Sequence, residues 1–293
     1  VKGESEMALE DRVLLKLKEG MAGLTRTEKR VASYILEHSE EVPICSLKQL
    51  ANKCGASDAT VLRLCKTMGY AGYRQFIVSI TSELASNNLG EQSCYVDIHP
   101  GDSIESIIQN VSYTNQKSID DTLGVLSKEA VKRAVILLRK ARKIGFFGMG
   151  ASNMVCMDAE QKFARINRLC SVHIDTHGQF ISAALMTSED VAVVISNSGT
   201  TPEIVKIVQL LKDTGAQIIA ISRYGKSFLA ENADVSLLFS TPEVKIRSGA
   251  MGSRIAMLNI VDILFSGVAS MEYDTIKLYL NKTRQLFCEE KGK

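Results

Sequence analysis

Hydrophobic and polar positions follow two different patterns along the chain. Between residues 24 and 88 the apolar residues recur every three or four positions, which predicts a series of helices. From Ser127 onward, short and nearly continuous apolar segments alternate with helical segments. Strands of that kind belong to a parallel sheet that is covered on both faces. The sequence therefore predicts two domains: an all-α amino-terminal domain, then an α/β/α sandwich with a parallel sheet.

The first pattern contains residues that begin and end helices. Thr25 and Glu28 have the spacing of a capping box, so a helix begins there. A short helix ends near Gly55, and after a tight turn Ser57 can cap a second helix. A further amphipathic helix covers residues 72–86. Two short helices joined by a glycine turn are the pattern of a helix-turn-helix.

Positive charge is concentrated at this predicted helix-turn-helix. The net charge of the chain is only +2, but residues 46–80 hold five basic residues and a single acid. A recognition helix enters the major groove by its amino-terminal end, where small side chains can approach base edges and arginine can reach guanine or phosphate. The predicted DNA-binding residues are Lys53, Ser57, Ala59, Thr60, Arg63, Lys66 and Arg74. The alternative is an ordinary helical hairpin with a solvated basic face.

The boundary between the two halves falls in a polar stretch. Residues 87–94 (NNLGEQSC) are polar and contain glycine, which is typical of a linker. Ser103 opens another helix, whose stripe of Ile104, Ile107, Ile108 and Val111 favours buried packing over a contact between subunits. The predicted organisation is a DNA-binding domain at 1–88, a linker and connecting helix at 89–125, and the α/β/α domain with a carboxy-terminal helix at 126–293.

Two predicted strand ends carry glycines and small hydroxyl residues. The first, GMGASN at 148–153, lacks the third glycine of a dinucleotide loop, because Asn153 stands in its place. The second, SNSGTT at 196–201, leads into a helix that begins with Pro202. Free amide groups at a helix start, with hydroxyls around them, form a site for a phosphate. Since the loop has no lysine of a P-loop, it suits a phosphate monoester better than a nucleotide, or it is a simple connector.

These motifs resemble those of a known family. GMGAS at 148–152 and SNSGTT at 196–201 are similar to the phosphosugar loops of SIS (sugar isomerase) domains. With LANKCGASDATVLRLCKTMGYAGYRQF at 50–76 and RSGAMGSRIAMLNIVDILF at 247–265, the chain resembles the RpiR family of bacterial transcription regulators, from about Leu24 to beyond Ala269. The resemblance implies a SIS domain that senses a sugar phosphate and a helix-turn-helix domain that binds operator DNA as a homodimer or homotetramer.

The resemblance also implies roles for single residues. Four hydroxyl side chains would hold the phosphate, at Ser152, Ser196, Ser198 and Thr201. Glu243 resembles the acidic residue that faces the sugar in many SIS domains, and His177 lies in a loop from which such domains often reach the sugar. The expected ligand-binding residues are Gly150, Ser152, His177, Ser196, Ser198, Gly199, Thr201 and Glu243.

A regulator is a better expectation than an enzyme. SIS domains also occur in sugar-phosphate isomerases and lyases, so a phosphate site alone does not separate sensing from catalysis. An isomerase, however, has no need of a basic helix-turn-helix. We therefore expect a transcriptional regulator of sugar metabolism, an amino sugar being one candidate, that is controlled by a sugar phosphate; the alternative is a SIS-type isomerase or lyase.

The remaining expectations concern cofactors, metals and location. We expect no catalytic residue and no cofactor. His173 and His177 are four residues apart, but the segment begins as a strand and no third ligand is evident, so no metal is expected. No apolar run is long enough for a membrane helix, and the amino terminus lacks the apolar core of a signal peptide, so the expected location is the cytoplasm.

Overall fold

The amino-terminal domain is built from helices, as the sequence predicts. The computed structural model describes residues 12–87, 101–241 and 250–288. Its first range contains the α-helices α1 (Val13–Gly20), α2 (Arg26–Glu37), α3 (Leu47–Lys53), α4 (Asp58–Thr67) and α5 (Tyr73–Asn87), with short 3₁₀ turns at Met21–Gly23 and Val42–Ile44. Their apolar faces form one core, which includes Leu17, Val31, Ile35, Leu50, Val61, Leu64, Phe76 and Ile80.

The helix starts that the sequence indicates are confirmed. Thr25 and Glu28 form a complete capping box at the start of α2. Ser57 caps α4 by accepting a hydrogen bond from the Thr60 amide at 3.3 Å. Helices α3 and α4 thus form the predicted helix-turn-helix. Sequence analysis identified no element equivalent to α1, although its Leu17 is fully buried.

The connecting helix α6 (Ile104–Val125) is buried only in its second half. Thr122 lies fully buried, and its hydroxyl donates to the Ser240 carbonyl at 3.0 Å, at the end of the last strand. In the first half, however, Ile104 is 66% exposed and Ile108 is 62% exposed. The expectation that this apolar stripe is buried is therefore wrong within the chain, because only the second half of α6 packs on the following domain.

The second domain is a parallel α/β/α sandwich, as predicted. Its elements are α7 (Lys128–Lys140), β1 (Ile144–Gly148), α8 (Ala151–Ala164), β2 (Cys170–Val172), α9 (Thr176–Ala184), β3 (Val191–Ser196), α10 (Pro202–Thr214), β4 (Gln217–Arg223), α11 (Phe228–Asn232), β5 (Val235–Phe239), α12 (Met251–Met271) and α13 (Tyr273–Cys288). Within the described ranges the five strands form one sheet in the order β2-β1-β3-β4-β5, and every pair is parallel.

Alternate strand residues face two separate cores. On one side, Val193 and Ile219 pack with residues of α7, α8 and α12. On the other side, Val194 and Ala220 pack with residues of α9, α10 and α11. When both faces of a parallel sheet are covered by helices, ligands bind at the carboxyl ends of the strands. Gly148 and Ile195 are paired at the carboxyl ends of β1 and β3. The two motif loops are therefore neighbours.

Helix α12 is long and apolar enough to cross a membrane by length and composition alone. Its buried residues pack against the sheet and α8, among them Ala256, Met257, Ile260 and Leu264. These contacts are those of a core helix in an α/β/α sandwich.

Candidate anion-binding site and DNA-binding surface

The β3–α10 loop, residues 197–201, is held in shape by its own hydroxyl groups. Ser196 is buried at the end of β3, and its Oγ accepts a hydrogen bond from the Gly199 amide at 3.1 Å. The Ser198 Oγ accepts from the Thr200 amide at 3.3 Å and lies 3.2 Å from the Thr201 Oγ1. The side chain of Ser198 is exposed, whereas Thr201 is half-buried. The loop therefore presents two adjacent hydroxyls to solvent above a buried serine.

Gly199 is the residue that allows this loop to form. Its φ of 63° lies in the left-handed region, which favours glycine. An added Cβ would also lie only 2.7 Å from the Cβ of Ser227. No larger residue fits without moving the backbone.

Two helices begin beside each other at this edge of the sheet, and neither is capped by the side chain of its N-cap residue. Helix α10 follows Thr201, whose side chain makes no capping hydrogen bond, and α8 follows Gly150, which has no side chain. By contrast, Asp175 caps α9 and Ser227 caps α11. At the start of α8, the Ser152 and Asn153 amides already donate to the carbonyls of Met149 and Gly150. The positive end of the helix dipole favours an anion at such a start.

The first turn of α8 contributes a buried hydroxyl and a buried amide. Ser152 is 8% exposed, and its hydroxyl faces the Met257 sulfur at 3.9 Å. The Asn153 Nδ2 donates to the His173 carbonyl at 3.2 Å, while its buried Oδ1 has no partner among the described residues. Ser152 lies deeper in the fold than Ser198.

Gln179 is a residue of this region that sequence analysis missed. It is fully buried, and its Nε2 donates to the carbonyls of Gly148 at 2.9 Å and His173 at 3.1 Å. Its Oε1 accepts from the Gly148 amide at 3.1 Å. The side chain therefore fixes the end of β1 where the β1–α8 loop begins. Glutamine side chains are mostly exposed in folded proteins, so the sequence gives no sign of this role.

Asp175 holds the segment that leads to His177. Its carboxylate accepts the Gly178 amide at 2.8 Å, and this backbone hydrogen bond lowers the pKa of Asp175 below its ordinary value. His177 is exposed on the first turn of α9. Glu243 lies outside the described residues, so the predicted roles of both residues stay predictions. The described ranges contain no group of three or more potential metal-ligating side chains.

Most of the predicted DNA-binding residues are exposed. Ala59, Arg63 and Lys66 share one face of α4, and Ser57, Lys53 and Arg74 are also exposed. Lys53 lies 3.1 Å from a Glu41 carboxylate oxygen. Thr60 differs from the others, because it is 9% exposed and its hydroxyl lies 2.9 Å from the Ser57 Oγ.

Arg63 also holds α4 against α2. Its Nε donates at 3.1 Å to Glu28, whose side chain is 5% exposed, while the arginine side chain is 59% exposed. Burial raises the pKa of Glu28, but the hydrogen bonds from Thr25 and the contact with Arg63 outweigh it, so the pKa lies below its ordinary value. The ion pair keeps a positive side chain at the surface of α4.

Comparisons with known proteins identify both domains. A family model for the helix-turn-helix domain of the rpiR family matches residues 11–87, and a SIS-domain model matches residues 137–267. The fold and the sites thus define a helix-turn-helix transcriptional regulator that carries a SIS domain. An uncharacterised HTH-type transcriptional regulator of Caldanaerobacter subterraneus is 39% identical, covering 95% of this chain and 98% of that protein. The chain belongs to the RpiR family of transcriptional regulators.

Other relatives have more specific names. The HTH-type transcriptional regulator HexR of Pseudomonas aeruginosa is 32% identical and covers 84% of this chain and 85% of its own length. The solved structure of Vibrio vulnificus NanR, complexed with ManNAc-6P, is 25% identical with a TM-score of 0.60 and covers 96% of this chain and 100% of that one.

Proposed function

We propose that a sugar phosphate binds at the β1–α8 and β3–α10 loops and controls the binding of this regulator to operator DNA. The observation that carries this proposal is the pair of adjacent helix starts without side-chain caps, beside the hydroxyls of Ser198 and Thr201. Hydroxyl groups and the positive ends of two helix dipoles meet at this site. Together they suit the dianionic head of a phosphate monoester.

Ser196 and Ser152 have supporting parts in this proposal. The Ser196 Oγ orients the Gly199 amide, and Ser152 lies in the first turn of α8. Gly150 and Gly199 give the two loops their backbone shape. His177 and Glu243 would face the sugar. The NanR structure holds ManNAc-6P, so amino-sugar phosphates are the first ligands to test here.

The chain acts as a sensor and not as an enzyme in this proposal. Several relatives carry the name of transcriptional regulator, which supports sensing. The alternative is sugar-phosphate isomerisation or lysis, in which Glu243 or His177 would serve as a base. Turnover of hexose 6-phosphates that disappears in Glu243→Ala would establish the enzyme and reject the sensor.

Operator binding would use two or more copies of the chain in the cytoplasm. A homodimer or homotetramer presents a pair of α4 helices to half-sites about one helical turn, or a multiple of it, apart. The division into residues 1–88, 89–125 and 126–293 assigns DNA binding to the first unit and effector binding to the last.

A thermal-shift panel tests the phosphate site directly. Hexose 6-phosphates and N-acetylated amino-sugar 6-phosphates are each compared with the unphosphorylated sugar, on the wild type and on Ser198→Ala. We expect stabilisation that needs both the phosphate and Ser198, because a bound ligand adds its binding free energy to the folded state.

The matched control is Ser188→Ala, since Ser188 is exposed near the opposite edge of the sheet, beside Gly215. This variant should respond as the wild type does. Equal shifts from phosphorylated and free sugars, or an unchanged response in Ser198→Ala, would contradict the assigned site.

A further inference from the structure

Helix α1 of the DNA-binding domain lies against the SIS domain and the connecting helix at both of its ends. At its amino-terminal end, the Arg12 guanidinium lies 2.5 Å from an Asp121 carboxylate oxygen on α6. The Arg12 stem lies directly over Gly124, where an added Cβ would be 2.7 Å from the arginine Cγ. This end of α1 is therefore closely fitted to the connecting helix.

The carboxy-terminal end of α1 meets the end of β4. Arg223 donates from Nε and Nη2 to the two carboxylate oxygens of Glu19, at 2.8 and 3.0 Å. The Glu19 side chain is 6% exposed and that of Arg223 is 27% exposed, so the ion pair is largely screened from water. A two-pronged pair of this kind fixes orientation as well as distance.

Residues 223–229 run from the last residue of β4 to the first turn of α11 and are here called the post-β4 segment. They make further contacts with the same part of α1. Gly20 approaches the ring of Tyr224, and the Lys226 side chain lies 3.1 Å from where a Cβ of Gly23 would be. The Glu19 carbonyl lies in ordinary contact with the Gly225 position. The post-β4 segment thus forms a seat for the end of α1.

The post-β4 segment also holds the candidate phosphate site from its other side. The Arg223 amide donates to the Asn197 carbonyl at 3.3 Å, and the Leu229 amide donates to the Gly199 carbonyl at 3.0 Å. Ser227 packs so closely on Gly199 that no methyl group fits between them. One segment of seven residues therefore contacts both the β3–α10 loop and the DNA-binding domain.

We infer that the Glu19–Arg223 ion pair is the coupling element between the effector site and the DNA-binding domain. The inference rests on the proposed function and adds to it the contact through which an effector acts. An anion that engages Ser198 and Thr201 pulls on a loop whose carbonyls are bonded to the post-β4 segment, and Arg223 transmits the change to Glu19. Coupling of this kind is reciprocal, so release of α1 must also alter the loop.

Reciprocity allows a test that needs no ligand. Hydrogen exchange is measured on the full chain, free of sugar and DNA, for peptides that cover residues 13–23 and 197–201. Glu19→Gln opens the ion pair while keeping the shape of the side chain. We expect at least fivefold faster exchange in both peptides, and the same from Arg223→Gln, which opens the pair from the other side.

Glu272→Gln is the matched control. Glu272 accepts from the Arg168 guanidinium at 2.7 Å within the SIS domain and touches neither α1 nor the β3–α10 loop in the described contacts. Exchange of both peptides should equal that of the wild type. Faster exchange in α1 with an unchanged loop in Glu19→Gln would overturn the inference, because the two would then move independently.

A binding experiment measures the coupling itself. A DNA duplex selected from a randomised library with the wild-type chain is titrated with and without N-acetylmannosamine 6-phosphate and glucose 6-phosphate. We expect the affinities of Glu19→Gln for the duplex and for the sugar phosphate to stay within about threefold of those of the wild type. The factor by which the sugar phosphate changes the affinity for DNA should fall toward 1. Full coupling in Glu19→Gln would reject the ion pair as the link. No sugar-phosphate effect in the wild type would reject the proposed function, and the exchange result would still decide the inference.

Discussion

At the scale of single residues, buried polar groups fix the candidate site more than its exposed hydroxyls do. Gln179 bonds the end of β1 to the residue that follows β2, and Ser196 orients the amide of Gly199. Buried hydrogen bonds of this kind are costly to leave unmade, so they hold the loops in one conformation. The hydroxyls of Ser198 and Thr201 then stand at fixed positions before any ligand arrives.

Gly199→Ala tests how strictly that conformation is required. The variant pays for a left-handed φ and also meets Ser227, so we expect it to lose about 2 kcal/mol or more of SIS-domain stability and at least tenfold in sugar-phosphate affinity. Denaturant unfolding and ligand titration measure the two losses.

Gly55→Ala is the matched control for this prediction. Gly55 has a similar φ of 58°, but an added Cβ would meet only the Arg30 guanidinium at ordinary contact distance. Its domain should lose about 1 kcal/mol, the conformational cost alone. If both substitutions cost the same, contact with Ser227 has no part in holding the loop.

At the scale of elements, helix α4 packs into the core of its domain with one face and presents the predicted DNA-binding residues on another. Val61, Leu64 and Cys65 are buried, while Ala59, Arg63 and Lys66 lie exposed on another face of the same helix. Arg63 belongs to both tasks, because it pairs with the buried carboxylate of Glu28. Lys66 belongs to the exposed surface alone among the contacts described for it.

Lys66→Ala and Arg63→Ala should therefore differ in stability and agree in DNA binding. Both variants should bind DNA more weakly. Loss of a phosphate contact weakens binding to every sequence, whereas loss of a base contact weakens it at one position of the site. Lys66→Ala should also reduce the slope of log affinity against log salt by about one. Arg63→Ala should in addition cost about 1 kcal/mol of domain stability, because Glu28 loses a partner. Salt-dependent fluorescence anisotropy and thermal melting separate the two effects.

Lys132→Ala supplies the control, since Lys132 is an exposed lysine on α7, far along the chain from the helix-turn-helix. It should leave both the salt slope and the melting temperature unchanged. A salt slope that is the same in Lys66→Ala and the wild type would remove Lys66 from the DNA-binding surface.

At the scale of the whole molecule, each domain has a buried carboxylate that is paired with an arginine of the same domain. Glu28 serves in the DNA-binding domain, and Asp190 in the SIS domain lies 2.8 Å from the Arg142 Nη2. Burial raises the pKa of Asp190, but the hydrogen bonds from Arg142 and Thr187 outweigh it and leave the pKa below its ordinary value. Acid should therefore weaken both domains.

A lowered pKa in the folded state fixes the sign of this prediction. Such a carboxylate stabilises the fold above its unfolded pKa, about 4 for both residue types, and that contribution disappears as the pH falls through the folded pKa. The free energy of unfolding should be flat near neutral pH and fall below about pH 4. Asp190→Asn should flatten the fall in the SIS domain, and Glu28→Gln should do so in the DNA-binding domain.

Denaturant unfolding between pH 3 and pH 7 measures this dependence. Glu189→Gln is the control, because Glu189 is 75% exposed beside the same Arg142 and exposed ion pairs contribute little. An unchanged acid slope in Asp190→Asn would show that other carboxylates govern the acid stability of the SIS domain.

The sequence by itself determined the local features of this protein. Capping residues such as Thr25 and Ser57 accept hydrogen bonds from amides three positions away. Strands that are buried on both faces read as continuous apolar runs, and strands that are buried on one face alternate apolar and polar residues. The order of helices and strands, the helix-turn-helix and the two glycine-containing loops follow from such short-range rules. The sheet then brings the two loops together because parallel strands end at one edge.

Only the tertiary structure decided which distant residues meet. Arg63 finds Glu28 across 35 positions and Arg223 finds Glu19 across 204, while Gln179 becomes a buried link despite its polar side chain. The apolar stripe of α6 could not be assigned a partner from the sequence either, because helical spacing predicts an apolar face but not what covers it. Periodicity records the side of an element that avoids water; the partner on that side is chosen by packing of the whole chain.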